Sequence, residues 1–441
     1  MSEQNLVAAI DIGTTKVVAI VGRKKENGRI EILGISRTPS TGIKRGVVQN
    51  IDETVNAIKR TVEEVQNESG TVFTDVFVGI AGQHIKTIRN RGYINRNSSE
   101  DEITKKDIEN LIKEMYNISI DVGEEIIHVL PQNFIVDNET GIKNPVGMLG
   151  RRVEANFHIV IGQITSARNI GKCISKAGLN LNELILEPLA SSAAVLTADE
   201  KEAGVALVDI GGGTTDVAVY YDDIIRHTAV IPFGGDVITK DIKEGCSILQ
   251  RQAESLKTQY GSALGDMARE DEVVSIPGIS GREPKEISLK SLAYIIQSRV
   301  EEILNAVLYE IENSGYYERL SAGIVITGGG ALLKDLPQLV RFITGMDVRI
   351  GRPDIMLASE SNPAVNDPMF ATSVGLIIKG FEINERNGDY QTQDEQKKTE
   401  EHSNEEEMQE EDENDSEEKK GFISKLKQAF NDIFEENDAE L

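Results

Sequence analysis

Two segments of this 441-residue chain repeat one another at long range. "VAAIDIGTTKVVAIV" begins at Val7 and "VALVDIGGGTTDVAVYY" at Val205, so that Asp209 follows Asp11 by 198 residues. Each reads as a buried strand, a glycine–threonine bend and a returning strand, and the later copy adds two glycines. A repeat at this separation is not a solenoid, whose units recur every ~20–50 residues. It predicts two lobes of similar design, each opened by a hairpin, and the length suits two to four domains.

A glycine cluster after an apolar run can be a dinucleotide fingerprint, a bare turn or a phosphate loop. The fingerprint needs its glycines to open a helix, but Gly213 is followed by "TTDVAVYYDD", a β-type run. A bend between strands instead bares N–H groups that can ring an anion, and threonine hydroxyls add donors. Lys16 supplies a point charge suited to phosphate. Asp11 and Asp209 would repel a polyphosphate unless a divalent cation lies between, and Mg²⁺ takes a few carboxylates, water and phosphate oxygens. One hairpin from each lobe, facing across a cleft, would clamp a Mg-nucleotide. A third cluster, "AGIVITGGGALLKDLPQLVRFI", reads as strand, glycine turn and helix, with helical periodicity from Leu332. Gly328, Gly329 and Gly330 leave no side chain to obstruct a base or sugar.

Around these motifs the first 80 residues read as strand, strand, strand, helix, strand. The helix is "DETVNAIKRTVEEVQNE", capped by Asp52 or its neighbour. From Gln83 to about Gly162 a separate block of strands and one helix interrupts the pattern and predicts an inserted domain. Cys173 and Cys246 have no metal-site spacing and suggest a reducing setting. The opening "MSEQNLVAAIDIG" shows no basic region followed by a long apolar run, so no signal peptide is expected. No run approaches the ~20 apolar residues of a spanning helix. The net charge of −26 is unevenly placed. Residues 382–418 carry seventeen Asp or Glu against three Lys or Arg, a net of −14. Nucleic-acid binding, which needs concentrated positive charge, is disfavoured.

Together these motifs resemble those of the actin, sugar-kinase and heat-shock-chaperone superfamily, and within it the FtsA family of bacterial cell-division proteins. The resemblance covers residues 1 to about 382 and the last twenty. "AIDIGTTKV" and "DIGGGTTD" match the two phosphate loops. "LILEPLASSAAVL" and "FATSVGL" match the connecting helices, and "AESLKTQYGSA" a helix on the ribose side. The resemblance implies an α/β, actin-like two-lobed ATPase fold made of duplicated ribonuclease-H-like domains, with an inserted α+β subdomain in the first lobe. It places the first lobe at 1–82, 163–198 and 362–382, the insert at 83–162, and the second lobe at 199–246 and 302–361. An outer subdomain falls at 247–301. It further implies that Asp11 and Asp209 hold Mg²⁺ through water. Gly13, Thr14, Thr15 and Lys16, with Gly211, Gly212, Gly213, Thr214 and Thr215, would hold the phosphates of ATP. Glu254, Lys257 and Gly328 to Gly330 would meet ribose and base. Glu187 stands where relatives position the attacking water, although a charged residue before Pro188 at a helix start is equally expected of the helix dipole. Hydrolysis in this family is often slow.

The segment from Glu385 to Lys420 has almost no apolar side chain and predicts disorder over 383–418. It is followed at 419–437 by an amphipathic helix. Phe422, Ile423, Leu426, Phe430, Ile433 and Phe434 fall within a sector of about 120° at ~100° per residue. A membrane interface suits that face, and Lys419, Lys420, Lys425 and Lys427 favour anionic lipid. Family members end in such a helix. By resemblance the chain forms filaments on the inner face of the cell membrane at the division site. There it would hold the ring of the tubulin-like protein FtsZ, bound through residues near 247–300, with other division proteins on the insert. The alternatives are an assembly ATPase of the same fold, as in pilus systems, or a small-molecule phosphotransferase. Three features predict nothing chemical: the five histidines have no ligand spacing, "GMLGRRVEAN" reads as a hairpin around Arg151 and Arg152, and Lys86, Arg89, Arg91 and Arg96 read as a solvated strand face.

Overall fold

The computed structural model describes residues 6–97, 100–278 and 282–386. The expected acidic linker from residue 387 on, and all six apolar residues of the terminal helix, lie outside the described residues. The chain divides into two units, Met1–Phe381 and Glu382–Leu441. The lobes and the insert all belong to the first.

Its opening sheet contains β1 (Leu6–Ile12), β2 (Lys16–Lys24) and β3 (Ile30–Pro39), a meander of antiparallel strands. A short ribbon of β4 (Ile43–Lys44) and β5 (Val47–Val48) leads into α1 (Ile51–Ser69). The cap of α1 is Asn50, not Asp52: its side chain accepts from the N–H groups of Asp52 and Glu53. β6 (Asp75–Ile80) then lies parallel to β1. The insert comes next: β7 (Lys86–Asn95), α2 (Lys105–Met115), β8 (Glu124–Val136), β9 (Glu139–Ile142) and β10 (Arg152–Gln163). The chain returns through α3 (Ile164–Lys176) to β11 (Asn180–Leu186), which completes the first sheet in the order β11-β6-β1-β2-β3.

After α4 (Glu187–Val195) and α5 (Ala198–Ala203) the design repeats. β12 (Val205–Ile210), β13 (Thr215–Tyr221) and β14 (Ile224–Ile231) form a second antiparallel meander. Three helices succeed it, α6 (Gly235–Cys246), α7 (Gln250–Tyr260) and α8 (Leu289–Asn313), with the hairpin of β15 (Val273–Ile276) and β16 (Lys285–Ser288) between the last two. Then β17 (Ile324–Thr327), α9 (Leu336–Thr344) and β18 (Val348–Ile350) complete a sheet ordered β14-β13-β12-β17-β18. The two five-stranded sheets share one topology: three antiparallel strands, then two parallel ones on the other side of the first.

Continuous apolar runs in β1, β2, β12 and β13 leave these strands buried on both faces, as strands covered by helices must be. Each lobe and the insert has its own apolar cluster, and Ile127 of β8 packs against that of the first lobe.

Four local expectations need correction. Residues 147–151 do not turn a hairpin, because β9 pairs with β8 while β10 lies between β7 and β8. That segment crosses back over the sheet, and the Asp137 carboxylate accepts from the N–H groups of Arg151 and Arg152. The boundary expected at residue 301 falls inside α8, whose buried stripe from Leu292 to Ile311 packs as one piece on the second lobe. At the third glycine cluster the chain makes a 3-10 turn over Gly329–Leu332, and α9 starts only at Leu336. Residues 383–386, expected in the linker, are helical.

Candidate functional site

The two threonine-rich bends meet. A Cβ on Gly212 would stand 2.3 Å from Thr15 Cγ2, and one on Gly213 would stand 2.4 Å from Thr14 Oγ1. Only glycine lets the bends come this close. The register places Asp11 opposite Val18 and Asp209 opposite Asp216, so the aspartates lie at the ends of β1 and β12, where the strands enter the bends. Asp11, Asp209 and Asp216 are all buried.

These carboxylates are held by hydroxyls from distant helices. Ser191 Oγ on α4 donates to Asp209 Oδ2 at 2.6 Å and Thr372 Oγ1 donates to the same oxygen at 3.1 Å. Ser373 Oγ donates to Asp11 Oδ2 at 3.0 Å. Asp216 has less: Thr214 Oγ1 reaches its Oδ2 at 3.3 Å, and its Oδ1 is buried with no hydrogen-bond partner. Burial raises the carboxyl pKa of Asp11 and Asp209 above the usual range, and those of Asp216 and Glu187 well above it. For Asp216 and Glu187 the neighbouring aspartates push further in the same direction. Lys16 opposes this at Asp11, Asp209 and Glu187, while its own Nζ donates to Met369 O at 2.8 Å.

An orphaned buried oxygen amid mutually repelling carboxylates suits the approach of a cation. Among the described residues no three His, Cys, Asp or Glu side chains are grouped tightly enough to bind a metal directly. The donors gathered here, carboxylates and hydroxyls, are all oxygens, the kind a hard cation takes.

Beside the bends opens a cleft of about 690 Å³. Thr15, Lys16, Gly211, Gly212, Glu254, Lys257, Gly329 and Gly330 are among the residues that line it. Lys257 Nζ bridges Glu254 Oε2 at 2.8 Å and Gly235 O at 3.0 Å, which fixes α7 against the start of α6. Gly328 has φ +81°, and a Cβ there would stand 2.2 Å from Asp209 Oδ1, so the third glycine cluster abuts the second hairpin. Thr215 does not join the others. It is fully buried and its hydroxyl donates to Phe233 O at 2.8 Å, leaving no proton for a phosphate. Glu187 is the first residue of α4, and its carboxylate is buried beside Gly79.

Asp216, Ser191, Thr372 and Ser373 escape sequence reasoning. One signal for Asp216 exists: it follows the paired threonines just as Lys16 does in the first hairpin.

Twin sheets of one topology with a bend from each in contact over buried aspartates define an actin-like ATPase fold. Solved structures agree: a chain of the PilM-PilN type IV pilus biogenesis complex matches with TM-score 0.60 and 14% identity over 85% of this chain and 98% of that one. MreB5 of Spiroplasma citri, solved with ADP and with AMPPNP, matches at TM-score 0.53 and 15% identity, covering 88% of this chain. The family model for cell division protein FtsA matches residues 206–375, and that for the SHS2 domain inserted in FtsA matches residues 82–161. Cell division protein FtsA of Pseudomonas aeruginosa is 39% identical over 86% of this chain and 89% of its own length. That of Escherichia coli K12 is 35% identical over 89% and 94%. The chain belongs to the FtsA family of cell division proteins.

Proposed function

We propose that the cleft binds Mg-ATP and that its occupancy sets how tightly the two lobes close. Closure would govern filament formation on the inner face of the cell membrane, to which the terminal helix ties the chain and through it the FtsZ ring. The observation that carries this reading is the contact of two threonine bends over Asp216 and its orphaned oxygen. The MreB5 structures, solved with ADP and AMPPNP on the same fold, support it.

The geometry supports a role for each residue. Asp11, Asp209 and Asp216 would hold Mg²⁺ through water, and the cation would supply the positive charge that lets phosphate oxygens approach three carboxylates. Backbone N–H groups of both bends, with the Thr14 and Thr15 hydroxyls and that of Thr214 once it leaves Asp216 Oδ2, would take the phosphates. Lys16 would exchange the Met369 carbonyl for a phosphate oxygen, a charge-assisted bond in place of a neutral acceptor. Glu187, whose pKa is raised by burial and then by the neighbouring aspartates, would hold a water for attack once a cation offsets their charge.

Calorimetric titration of the full chain with Mg-AMPPNP tests this. Binding that drops at least about tenfold in Asp209→Ala supports the assignment; equal affinity in both proteins would reduce the second hairpin to a structural turn.

A further inference from the structure

The insert belongs to the first lobe by chain connection, yet its sheet grips the second. His158 Nε2 on β10 lies 2.9 Å from Thr228 Oγ1 on β14, with both side chains buried. On β8, Gln132 Nε2 donates to Ile225 O, and Asn133 Oδ1 accepts from Arg226 Nη1 at 2.9 Å. Arg89 on β7 donates to Ser314 O at 3.3 Å, just past α8. Beyond the tip of β9, Lys143 Nζ pairs with Asp222 Oδ1 at 2.5 Å and Asp223 Oδ2 at 3.8 Å.

These bonds are all polar, and the apolar clusters of the insert and the second lobe stay separate. A hydrogen bond exchanged for water changes the free energy little, whereas a shared apolar core would weld the two parts. Polar interfaces between domains are the ones that move.

The joint also leads to the site from both sides. Thr228 pairs in register with Ala218, two residues along β13 from Asp216. On the other side, His128 Nε2 on β8 accepts the N–H of Leu186 at 3.0 Å, the residue before Glu187. One sheet therefore holds β14, the neighbour of the strand that carries Asp216, and the backbone that presents Glu187. We propose that the insert is a clamp across the lobes. Its joint with β14 opens and closes together with the two threonine bends, so a partner that displaces the insert loosens the site. This does not depend on nucleotide being the ligand.

Hydrogen–deuterium exchange of the full chain without nucleotide tests the clamp, comparing wild type with Thr228→Val, Lys143→Glu and the double reversal Lys143→Glu/Asp222→Lys. Thr228→Val leaves His158 without its partner. Lys143→Glu sets a like charge against Asp222, Asp223 and Glu202 on an exposed surface, where folding is not at risk. Both single variants should speed exchange in peptides covering 11–17 and 209–217 by about threefold or more, and the double reversal should restore it. Faster exchange confined to 124–163 and 222–231, or no change in any peptide, would overturn the proposal.

Discussion

Gly212 and Thr15 come from different lobes and stand so close that a Cβ on the glycine would lie 2.3 Å from the threonine Cγ2 and 2.9 Å from its Oγ1. Thr15 is exposed and can turn about χ1, but its Cβ would still stand only 3.2 Å from the new methyl. Gly212→Ala should therefore hold the lobes apart while leaving each sheet intact. The expected result is at least about a tenfold loss of Mg-AMPPNP affinity with little change in melting temperature. Thr15→Ser removes the nearer atom, and adding it should recover part of the loss. Calorimetry and thermal unfolding of the two variants check this.

Asp216 should affect stability and binding in opposite directions. Its carboxyl is raised by burial and by Asp209, so the folded protein favours the protonated form. Its favourable contribution is therefore complete below the unfolded value near 3.8 and is lost as pH rises through the folded one. Asp216→Asn removes that loss. Without Mg²⁺ the variant should melt above wild type at pH 8, and the gap should narrow toward pH 5. With Mg-AMPPNP present the order should reverse, since the variant lacks a carboxylate for the cation. A variant that melts below wild type at every pH would refute this account of the cluster.

How far the site is legible in sequence depends on how local its parts are. Asp11, Thr14, Thr15, Lys16 and their counterparts sit within one hairpin, where apolar strands and a glycine bend declare themselves. Ser373 and Asp11 are 362 residues apart, and Thr372 and Asp209 are 163 apart. A serine or threonine at the start of a helix reads as a cap, and nothing in the string ties it to an aspartate in another element. Thr215 fails for a related reason. The repeat makes it look equivalent to Thr15, but the two extra glycines shift it into β13, where it pairs with Ile210 as Val17 pairs with Ile12, and its hydroxyl goes to Phe233 instead of the cleft. The duplicated lobes are readable because strands buried on both faces form continuous apolar runs, and the insert because it interrupts that repeat. The return of residues 147–151 over the sheet is not, because strand order is a tertiary fact.

His158 supplies a pH dependence of its own. Burial, then the charges of His227 and Arg89, depress its pKa from 6.5 to about 4. The unfolded chain therefore binds a proton below pH 6.5 that the folded one refuses, and stability falls as pH drops from there toward 4. Between pH 7 and pH 5 the loss is about 2 kcal/mol for this group. His158→Gln keeps a polar group facing Thr228 and does not titrate. Denaturant unfolding at the two pH values should show a smaller drop for the variant by about that amount. The raised carboxylates shift stability the other way with pH, but they are common to both proteins and cancel in the comparison.

The terminal helix offers a test that depends on sequence alone. On the helix expected at 419–437 the six apolar residues from Phe422 to Phe434 would share one face, with four lysines at 419, 420, 425 and 427 flanking it. Apolar burial at a bilayer interface favours attachment, and each lysine adds roughly 1 kcal/mol near anionic lipid. Glu435, Glu436 and Asp438 oppose it, so one copy should bind reversibly and several linked copies firmly. Phe430→Glu/Phe434→Glu places two carboxylates in the middle of the apolar face. In sedimentation with vesicles containing phosphatidylglycerol, wild type should pellet and the double variant should remain in the supernatant. Raising salt should weaken wild-type binding without abolishing it, because screening acts on the lysines and not on the phenylalanines. A double variant that still pellets would move the anchor to another part of the chain, and binding that vanishes at high salt would make the attachment purely electrostatic.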